Sequence, residues 1–373
     1  MPLNHDAPSG PAFDLAYAEA GAGPTLILLP GGPGLASVLP YRRIRRRLAA
    51  GGLRVVTPEH RGVGLSRRLP DGSLLPREAV SMEQAARDAL AVLDAVGGDR
   101  AILAGTSYGG FLALETARRA GGRFEALVVD SAGASVEPSE RGLQRTLFWS
   151  GTEPGFAGIA RQVRAVADAG IVSDSELAIA VPLVYELAGR DAVESLLTRA
   201  KGGHVTVLRR LSRLGAQEFE GGRVPLVFDG DLVARIALGR MTPERPDGAP
   251  FDRSRALDGV RAANPEVPAA PFDATPWLNE LRLPTLVLQG ARDTRMPPVT
   301  VDELLARLPD ARLISFPHAG HDLLRTCTRA SAAILAGLAR DGLDGAERAA
   351  ATTGLARRPR WERWAARVAA VVP

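Results

Sequence analysis

Several residue types are scarce in this chain of 373 residues, and each shortage excludes a class of protein. Cys327 is the only cysteine, so an intrachain disulfide is impossible, and a reducing, cytoplasmic compartment is the simplest expectation. Lys201 is the only lysine, and the net charge of +4 is carried by arginines that are interleaved with acidic residues. Because these arginines form no basic stripe interleaved with aromatic residues, we expect no nucleic-acid partner.

Long apolar runs are also absent. No run approaches the roughly 20 residues that a membrane-spanning helix requires, so we expect no membrane span. Residues 1–10 have neither the basic nor the apolar region of a signal peptide. The hydrophobic content of 46% and the charged content of 24% are those of an ordinary globular protein. The one dense basic run, RRIRRR at 42–47, predicts a solvated helix face.

Short apolar runs alternate with helical patterns in the first third of the chain. The helical segment 81–98 begins with a serine cap and ends at two glycines, which are strong start and stop signals. Apolar runs that predict strands occur at 24–30, 53–58, 100–105 and 124–133, and a second helical pattern occurs at 107–122. Strand and helix in this alternation predict a parallel sheet flanked by helices, the α/β class.

The alternation stops near residue 134 and returns near residue 276. The intervening segment has helical patterns and a loop rich in proline, glycine and charge at 240–259. Strands are then predicted at 283–290 and 311–317, with helices at 297–309 and 321–342. We therefore predict the first half of the core over 1–133, a mainly helical cap over 134–275, the second half of the core over 276–342 and a helical tail over 343–373.

The tail has an amphipathic pattern. Trp361, Trp364 and Val368 lie on one side of its predicted helix. This pattern favours packing on the core over a membrane-surface or subunit contact.

Ser107 lies at the centre of a G-x-S-x-G motif, between the predicted strand 100–105 and the predicted helix 107–122. This is the arrangement of a nucleophile elbow, in which a sharp strand-to-helix turn exposes the serine hydroxyl. Glycine is needed at 105 and 109 because side chains there would collide with the turn. The helix then directs its free N-terminal N–H groups toward developing negative charge.

A serine hydroxyl needs a base, and the chain supplies an acid and a histidine in the order Ser, Asp, His. Asp293 and His321 each follow a predicted strand, at the edge where parallel sheets place their sites. His318 is an alternative base, and Asp130, at the end of another strand, is an alternative acid. We favour Asp293 and His321, because the turn after 290 should bring the acid close to the histidine loop.

An oxyanion hole requires two N–H donors. The N–H of Tyr108, directly after the serine, is the first predicted donor. Gly32, in the sequence PGGPG at 30–34, is the second, because glycines let a backbone amide approach the substrate. The segment HRGVGLS at 60–66 is interpreted as structural, with Arg61 in a salt bridge.

Five motifs span both halves of the predicted core: GGPG at 31–34, RGVGLS at 61–66, GTSYGG at 105–110, GARDTRMPP at 290–298 and HAGHD at 318–322. Together they resemble the α/β-hydrolase superfamily and, more narrowly, the prolyl aminopeptidase (proline iminopeptidase) family of serine peptidases. The resemblance implies a triad of Ser107, Asp293 and His321, with oxyanion donors at Gly32 and Tyr108. Two family motifs differ here: Pro30 replaces a histidine, and Glu59-His60 replaces Asp-Gln, changes that concern the substrate rather than acyl transfer.

The expected activity is hydrolysis through an acyl-enzyme, with no metal and no cofactor. The resemblance implies an aminopeptidase that releases a proline-like or small N-terminal residue from short peptides. An esterase, lactonase or thioesterase acting on a small metabolite is the alternative, and a non-catalytic ligand-binding protein of the same fold is a third.

Cap residues are the candidates for substrate binding. The family recognises the free amine through acidic residues of its cap, and acidic residues occur here at Glu186, Glu218 and Glu220. Trp149, Phe148 and Tyr185 either line an apolar pocket or form the core of the cap. Of these residues, Trp149, Tyr185 and Glu186 are the predicted substrate-binding set.

Overall fold

The computed structural model describes residues 1–98, 100–136, 140–216, 223–242 and 244–355, and seven strands within these ranges form its central sheet. The sheet order is β1-β3-β2-β4-β5-β8-β9; β1 is antiparallel to β3 and the other neighbours are parallel. The strands are β1 Tyr17–Ala20, β2 Thr25–Leu29, β3 Arg54–Pro58, β4 Ala101–Thr106, β5 Phe124–Asp130, β6 Arg223–Val224, β7 Phe228–Asp229, β8 Thr285–Gly290 and β9 Ala311–Phe316.

Helices cover both faces of this sheet. The helices are α1 Arg42–Ala50, α2 Met82–Ala95, α3 Tyr108–Arg119, α4 Glu140–Arg145, α5 Ala157–Asp168, α6 Asp174–Ala188, α7 Arg190–Lys201, α8 Thr206–Ala216, α9 Ala234–Ile236, α10 Asp258–Ala262, α11 Pro298–Arg307, α12 Leu323–Thr326 and α13 Thr328–Thr352. Side chains of α2, α3 and α11 pack on one face of the sheet, and those of α1, α12 and α13 pack on the other.

Strand β4 shows why the sheet is buried on both sides. All six of its residues are buried. Ala101 and Leu103 join the apolar cluster on one face, whereas Ile102 and Ala104 join the cluster on the other. Because successive side chains point to opposite faces, a continuous apolar run can fill both layers, which is typical of a central parallel strand.

The segment between β5 and β8 contains α4 to α10 and its own apolar cluster, built around Phe148, Val163, Val181 and Leu197. Helix α6 begins with a capping box, in which Ser173 and Glu176 satisfy each other's backbone N–H groups. The short antiparallel β6–β7 pair lies in the same segment. The sequence analysis did not predict this pair.

The β6–β7 pair is hydrogen-bonded to the loop that follows β2. The N–H of Asp229 donates to the carbonyl of Gly34 at 2.9 Å, and the N–H of Ala36 donates to the carbonyl of Val227 at 3.0 Å. Asp229 is fully buried and forms ion pairs with Arg67 and Arg223. The β6–β7 pair thereby supports the loop that carries Gly32.

Two features of the helices depart from the sequence patterns. The predicted helix at 42–47 forms as α1, but Arg45 is buried rather than solvated and donates to Thr57 Oγ1 at 2.9 Å. Helix α13 breaks at Asp341 and Gly342 and ends at Thr352.

Trp361, Trp364 and Val368 of the predicted tail lie outside the described residues, as do Glu218 and Glu220. Within the described ranges, no helix has the length and apolar character needed to cross a membrane.

Candidate active site

Ser107 occupies the turn that joins β4 to α3, with backbone angles φ 53° and ψ −125°. A positive φ is costly for a residue with a side chain, and such strain is concentrated at functional sites. A Cβ atom at Gly105 would overlap the carbonyl oxygen of Gly109, and one at Gly109 would overlap the carbonyl of Leu29. The glycine spacing of the motif therefore has a direct steric cause.

Asp293 and His321 are brought together from the loops after β8 and β9. The Nδ1 atom of His321 lies 2.9 Å from Oδ2 of Asp293. The other oxygen of Asp293 accepts the N–H groups of Arg295 at 2.9 Å and Met296 at 3.0 Å. An ionised carboxylate only accepts hydrogen bonds, so Nδ1 of His321 carries the proton and Nε2 is left as a base.

The two loops are also joined through their backbones. The N–H of Arg292 donates to the carbonyl of Ala319 at 2.9 Å, and the N–H of Ala291 donates to the carbonyl of Phe316 at 3.0 Å. A side chain at Gly290 would overlap the carbonyl of Gly320. Asp293 and His321 are thus held on one rigid pair of loops, as the sequence led us to expect of the turn after 290.

Opposing effects act on the pKa of His321. Burial lowers this pKa, but the charge of Asp293 and its hydrogen bond to the ring outweigh the burial, so the pKa is raised above its ordinary value. The nearby charge of Arg295 lowers the pKa, and that of Glu186 raises it.

Asp130, the alternative acid of the sequence analysis, has other partners. Its carboxylate accepts the N–H groups of Leu323 at 3.2 Å and Leu324 at 3.0 Å, at the start of α12, and the hydroxyl of Ser131 at 3.0 Å. Burial and the neighbouring Asp322 raise the pKa of Asp130 to about 6. Asp130 therefore holds the start of α12, whereas Asp293 is the carboxylate that is hydrogen-bonded to His321.

The loop carrying Gly32 is fixed by hydrogen bonds and by backbone geometry. The N–H of Gly31 donates to the hydroxyl of the buried Tyr41 at 2.7 Å. Gly32 has a φ of 123° and precedes Pro33 through a cis peptide bond, and a Cβ at Gly32 would lie 2.6 Å from the N atom of Gly34. Only glycine fits this position without strain.

Tyr108 is the first residue of α3, so its N–H is one of the helix donors without an intrahelical acceptor. Its side chain is buried, and its hydroxyl lies 2.8 Å from Nε2 of His60. Nδ1 of His60 donates to the carbonyl of Arg61 at 2.6 Å, so Nε2 accepts from the tyrosine. Burial lowers the pKa of His60 to about 4, which keeps the ring neutral.

Sequence reasoning did not assign this role to His60. His60 and Tyr108 are 48 residues apart, and no spacing pattern connects them. The expected salt bridge of Arg61 is confirmed: its guanidinium pairs with Asp88 at 2.6 Å in the interior.

Ser107, His321 and Gly32 line one cavity of about 200 Å³. Apolar residues of its lining include Leu35, Phe111, Val136, Phe228, Met241 and Met296. Charged residues of its lining include Glu140, Arg141, Glu244, Arg253 and Arg295. The charged residues form pairs: Arg253 with Glu140, and Arg141 with Glu244 at 3.2 Å. The cavity lining therefore combines apolar residues with charged residues of both signs.

The three predicted substrate-binding residues lie elsewhere. The described residues that line the cavity do not include Trp149, Tyr185 or Glu186. Trp149 packs against Phe251 at 6.2 Å between ring centroids, and Tyr185 packs 5.4 Å from the ring of Phe148. Both rings pack against the apolar cluster built around Phe148, and the carboxylate of Glu186 is buried against Thr294.

Comparisons with known proteins agree with this architecture. Residues 24–180 match a family described as having the alpha/beta hydrolase fold. The chain is 26% identical over 316 residues to a 2-hydroxy-6-oxo-6-phenylhexa-2,4-dienoate hydrolase from Burkholderia cepacia, covering 83% of this chain and 85% of the relative. Together with the mostly parallel sheet, the family match shows that the chain has the α/β-hydrolase fold, which confirms the predicted fold class.

Solved structures of hydrolases share this fold. The proline iminopeptidase of Mycobacterium smegmatis has a TM-score of 0.51 at 18% identity, covering 90% of this chain and 97% of that one. An esterase from Exiguobacterium antarcticum has a TM-score of 0.50 at 14% identity, covering 88% of this chain and 97% of that one. At these identities the likeness shows the fold alone.

Proposed function

We propose that this protein is a serine hydrolase that acts through an acyl-enzyme, with Ser107 as nucleophile, His321 as base and Asp293 as its orienting acid. The observation that carries the proposal is the 2.9 Å hydrogen bond between Nδ1 of His321 and Asp293, together with the cavity that His321 and Ser107 both line. The positive φ of Ser107 at the start of α3 supports the assignment of the nucleophile.

Acylation begins when Oγ of Ser107 attacks the substrate carbonyl carbon and its proton passes to Nε2 of His321. The negative oxygen of the tetrahedral intermediate is stabilised by the N–H groups of Gly32 and Tyr108. The imidazolium is stabilised by Asp293 and returns the proton to the leaving amine or alkoxide. The bond to the leaving group breaks, and the acyl group remains on Ser107.

Deacylation follows the same path with water as the nucleophile. Nε2 of His321 takes a proton from water, and the hydroxide attacks the acyl carbonyl. The second tetrahedral intermediate occupies the same oxyanion hole. Its collapse returns the proton to Oγ of Ser107 and releases a carboxylic acid.

The substrate we propose first is a short peptide, from which a small or proline-like N-terminal residue is removed. Glu140 and Glu244 line the cavity, and carboxylates can accept hydrogen bonds from a substrate ammonium group. The apolar part of the lining, which includes Phe111, Phe228 and Met241, is suited to a small aliphatic side chain. The resemblance to proline iminopeptidases agrees with this choice.

A second candidate is the hydrolysis of a small ester or another carbonyl compound that carries a carboxylate. The observation that favours it is the presence of Arg141, Arg253 and Arg295 in the lining of the same cavity, because guanidinium groups bind carboxylates well. The Burkholderia relative is named for the hydrolysis of a dienoate. Lactones and thioesters fall within the same chemical class.

The two candidates are separated by a substrate panel. Prolyl and alanyl 4-nitroanilides, their N-acetyl derivatives and 4-nitrophenyl acetate are compared, with Ser107→Ala as the blank. We expect hydrolysis of the free-amine anilides and a loss in kcat/KM of about 100-fold on N-acetylation, because an ammonium contact contributes roughly 1.5–3 kcal/mol. Glu244→Gln should reduce the anilide rate about tenfold and leave the ester rate unchanged.

Cleavage of the ester alone would contradict the aminopeptidase assignment and leave the serine hydrolase proposal intact. Equal rates for the free-amine and the N-acetylated anilides would also contradict the aminopeptidase assignment and leave the serine hydrolase proposal intact.

The dependence of the rate on pH should report His321. His321 acts as a base only when its imidazole is deprotonated. Because its pKa is raised, the imidazolium form persists to a higher pH than in an ordinary histidine. The rate constant kcat/KM should therefore increase with pH, with a midpoint above about 6.5, the ordinary pKa of histidine. A midpoint well below that value, measured by initial rates from pH 5 to pH 9, would contradict the role of His321.

A further inference from the structure

Glu186 on the cap helix α6 contacts both loops that carry the proposed acid and base. Its carboxylate is buried, with 5% of the residue exposed. Oε1 accepts the hydroxyl of Thr294 at 2.6 Å and the N–H of Thr294 at 3.2 Å. Oε2 lies 3.4 Å from Nε of Arg295. These contacts fix the two residues that directly follow Asp293.

The same part of α6 packs directly on the histidine loop. A Cβ atom at Gly320 would lie 2.5 Å from Cβ and 2.8 Å from Cα of Glu186. The absence of a side chain at Gly320 therefore lets α6 lie against the residue before His321. One residue of the cap thus holds the loop of the acid by hydrogen bonds and the loop of the base by backbone packing.

We propose that Glu186 is a positioning residue, which couples the cap to the triad and holds Asp293 and His321 in the geometry of their hydrogen bond. This inference rests on the proposed serine hydrolase function. Because Glu186 is not among the described residues lining the cavity, its removal should affect the chemical step more than substrate binding. This role differs from the amine recognition that the sequence analysis considered for Glu186.

The charges around Glu186 give a second, independent readout. Its carboxylate is faced by Asp293, Thr294 and Arg295 from the loop after β8 and by His321 from the loop after β9. Burial raises the pKa of Glu186, and Arg295 acts in the opposite direction. The charge of Glu186 adds to that of Asp293 in raising the pKa of His321. Removing the charge should lower the pKa of His321.

The test compares Glu186→Ala and Glu186→Gln. We expect Glu186→Ala to reduce kcat about 100-fold with KM within about threefold, because small displacements of catalytic groups have effects of this size. Glu186→Gln keeps an amide oxygen that can accept from Thr294, so it should recover most of this loss. Glu186→Gln should also lower the pH midpoint of the acidic side of the kcat/KM profile, because the charge that raises the pKa of His321 is removed. The loss of a purely structural contact would not shift this midpoint.

A matched control lies on the same helix. Glu176 is ten residues earlier, so about 15 Å away along the helix axis, and glutamine is accepted at this position of a capping box. Glu176→Gln should leave kcat, KM and the pH profile as in the wild type. Thermal unfolding of every variant identifies any loss of the fold. If Glu186→Ala does not fold, Glu186→Gln and Thr294→Val replace it, and Thr294→Val should lower kcat with KM unchanged.

Labelling with a fluorophosphonate separates failure of this inference from failure of the proposed function. If the wild-type protein hydrolyses its substrate without being labelled at Ser107, the proposed function fails. If Ser107 is labelled but Glu186→Ala and Glu186→Gln match the wild type in kcat and pH profile, the positioning role alone is overturned. A rise in KM at constant kcat would also overturn it, because Glu186 would then bind substrate.

Discussion

Ser107→Ala is expected to lower kcat/KM by about 10⁶-fold while leaving the fold unchanged. The nucleophile is lost, so the remaining catalysis is limited to binding and the oxyanion donors. The fold should not depend on the hydroxyl, because the side chain of Ser107 makes no capping hydrogen bond to α3. Steady-state rates and thermal unfolding of the same preparations test both parts. Turnover at the wild-type rate would contradict the account.

The backbone at Ser107 provides a further comparison. Ser107→Gly should be as inactive as Ser107→Ala, but more stable by about 1 kcal/mol, because glycine adopts a φ of 53° without strain. Equal stability of the two variants would mean that the turn stores no strain.

Ser131 is a matched control for the nucleophile. It directly follows the neighbouring strand β5 and has the same φ of 53°, but its hydroxyl accepts the N–H of Asp322 at 2.9 Å and donates to Asp130 at 3.0 Å. Ser131→Ala should therefore reduce stability by about 1–3 kcal/mol and reduce kcat less than tenfold. The pair of variants distinguishes a nucleophile from a serine that is strained for structural reasons.

Asp293→Asn should reduce kcat about 10⁴-fold with little change in the fold. An asparagine that presents its amide group to Nδ1 of His321 favours the tautomer with the proton on Nε2. That nitrogen could then no longer accept the proton of Ser107. Single-turnover rates measured at saturating substrate would report this loss without interference from product release.

Asp130→Asn is the control for this second prediction. Asp130 is equally buried and lies at the end of β5, but its carboxylate holds the start of α12 rather than His321. Its neutralisation should reduce stability by about 1 kcal/mol and leave kcat within tenfold. If Asp130→Asn lost as much activity as Asp293→Asn, the assignment of the acid would be contradicted.

The core of the fold could be predicted from the sequence because its signals are local. Strand β4 is a continuous apolar run, and α3 begins directly after Ser107 and ends near two glycines. The glycines at 105 and 109 are required by contacts within the turn itself and with β2. Such short-range constraints leave a motif that can be read without knowledge of the tertiary structure.

The parts that could not be predicted depend on contacts between distant segments. The β6–β7 pair has strands of two residues, too short for an alternating pattern, and is stabilised by hydrogen bonds to residues 34–36. The burial of Arg45 follows from Thr57 on the neighbouring strand β3. The contact of Glu186 with Thr294 joins residues 108 positions apart. No local propensity encodes these partners.

The central claim is that Ser107 forms a covalent intermediate. The most direct measurement is intact mass spectrometry of the protein after reaction with a fluorophosphonate, followed by peptide mapping. The account predicts one phosphonyl group per chain, with loss of fluoride, attached to Ser107 in the peptide that spans β4 and the start of α3. An enzyme that remains active and unmodified, or that is modified at another serine, would contradict the proposed mechanism.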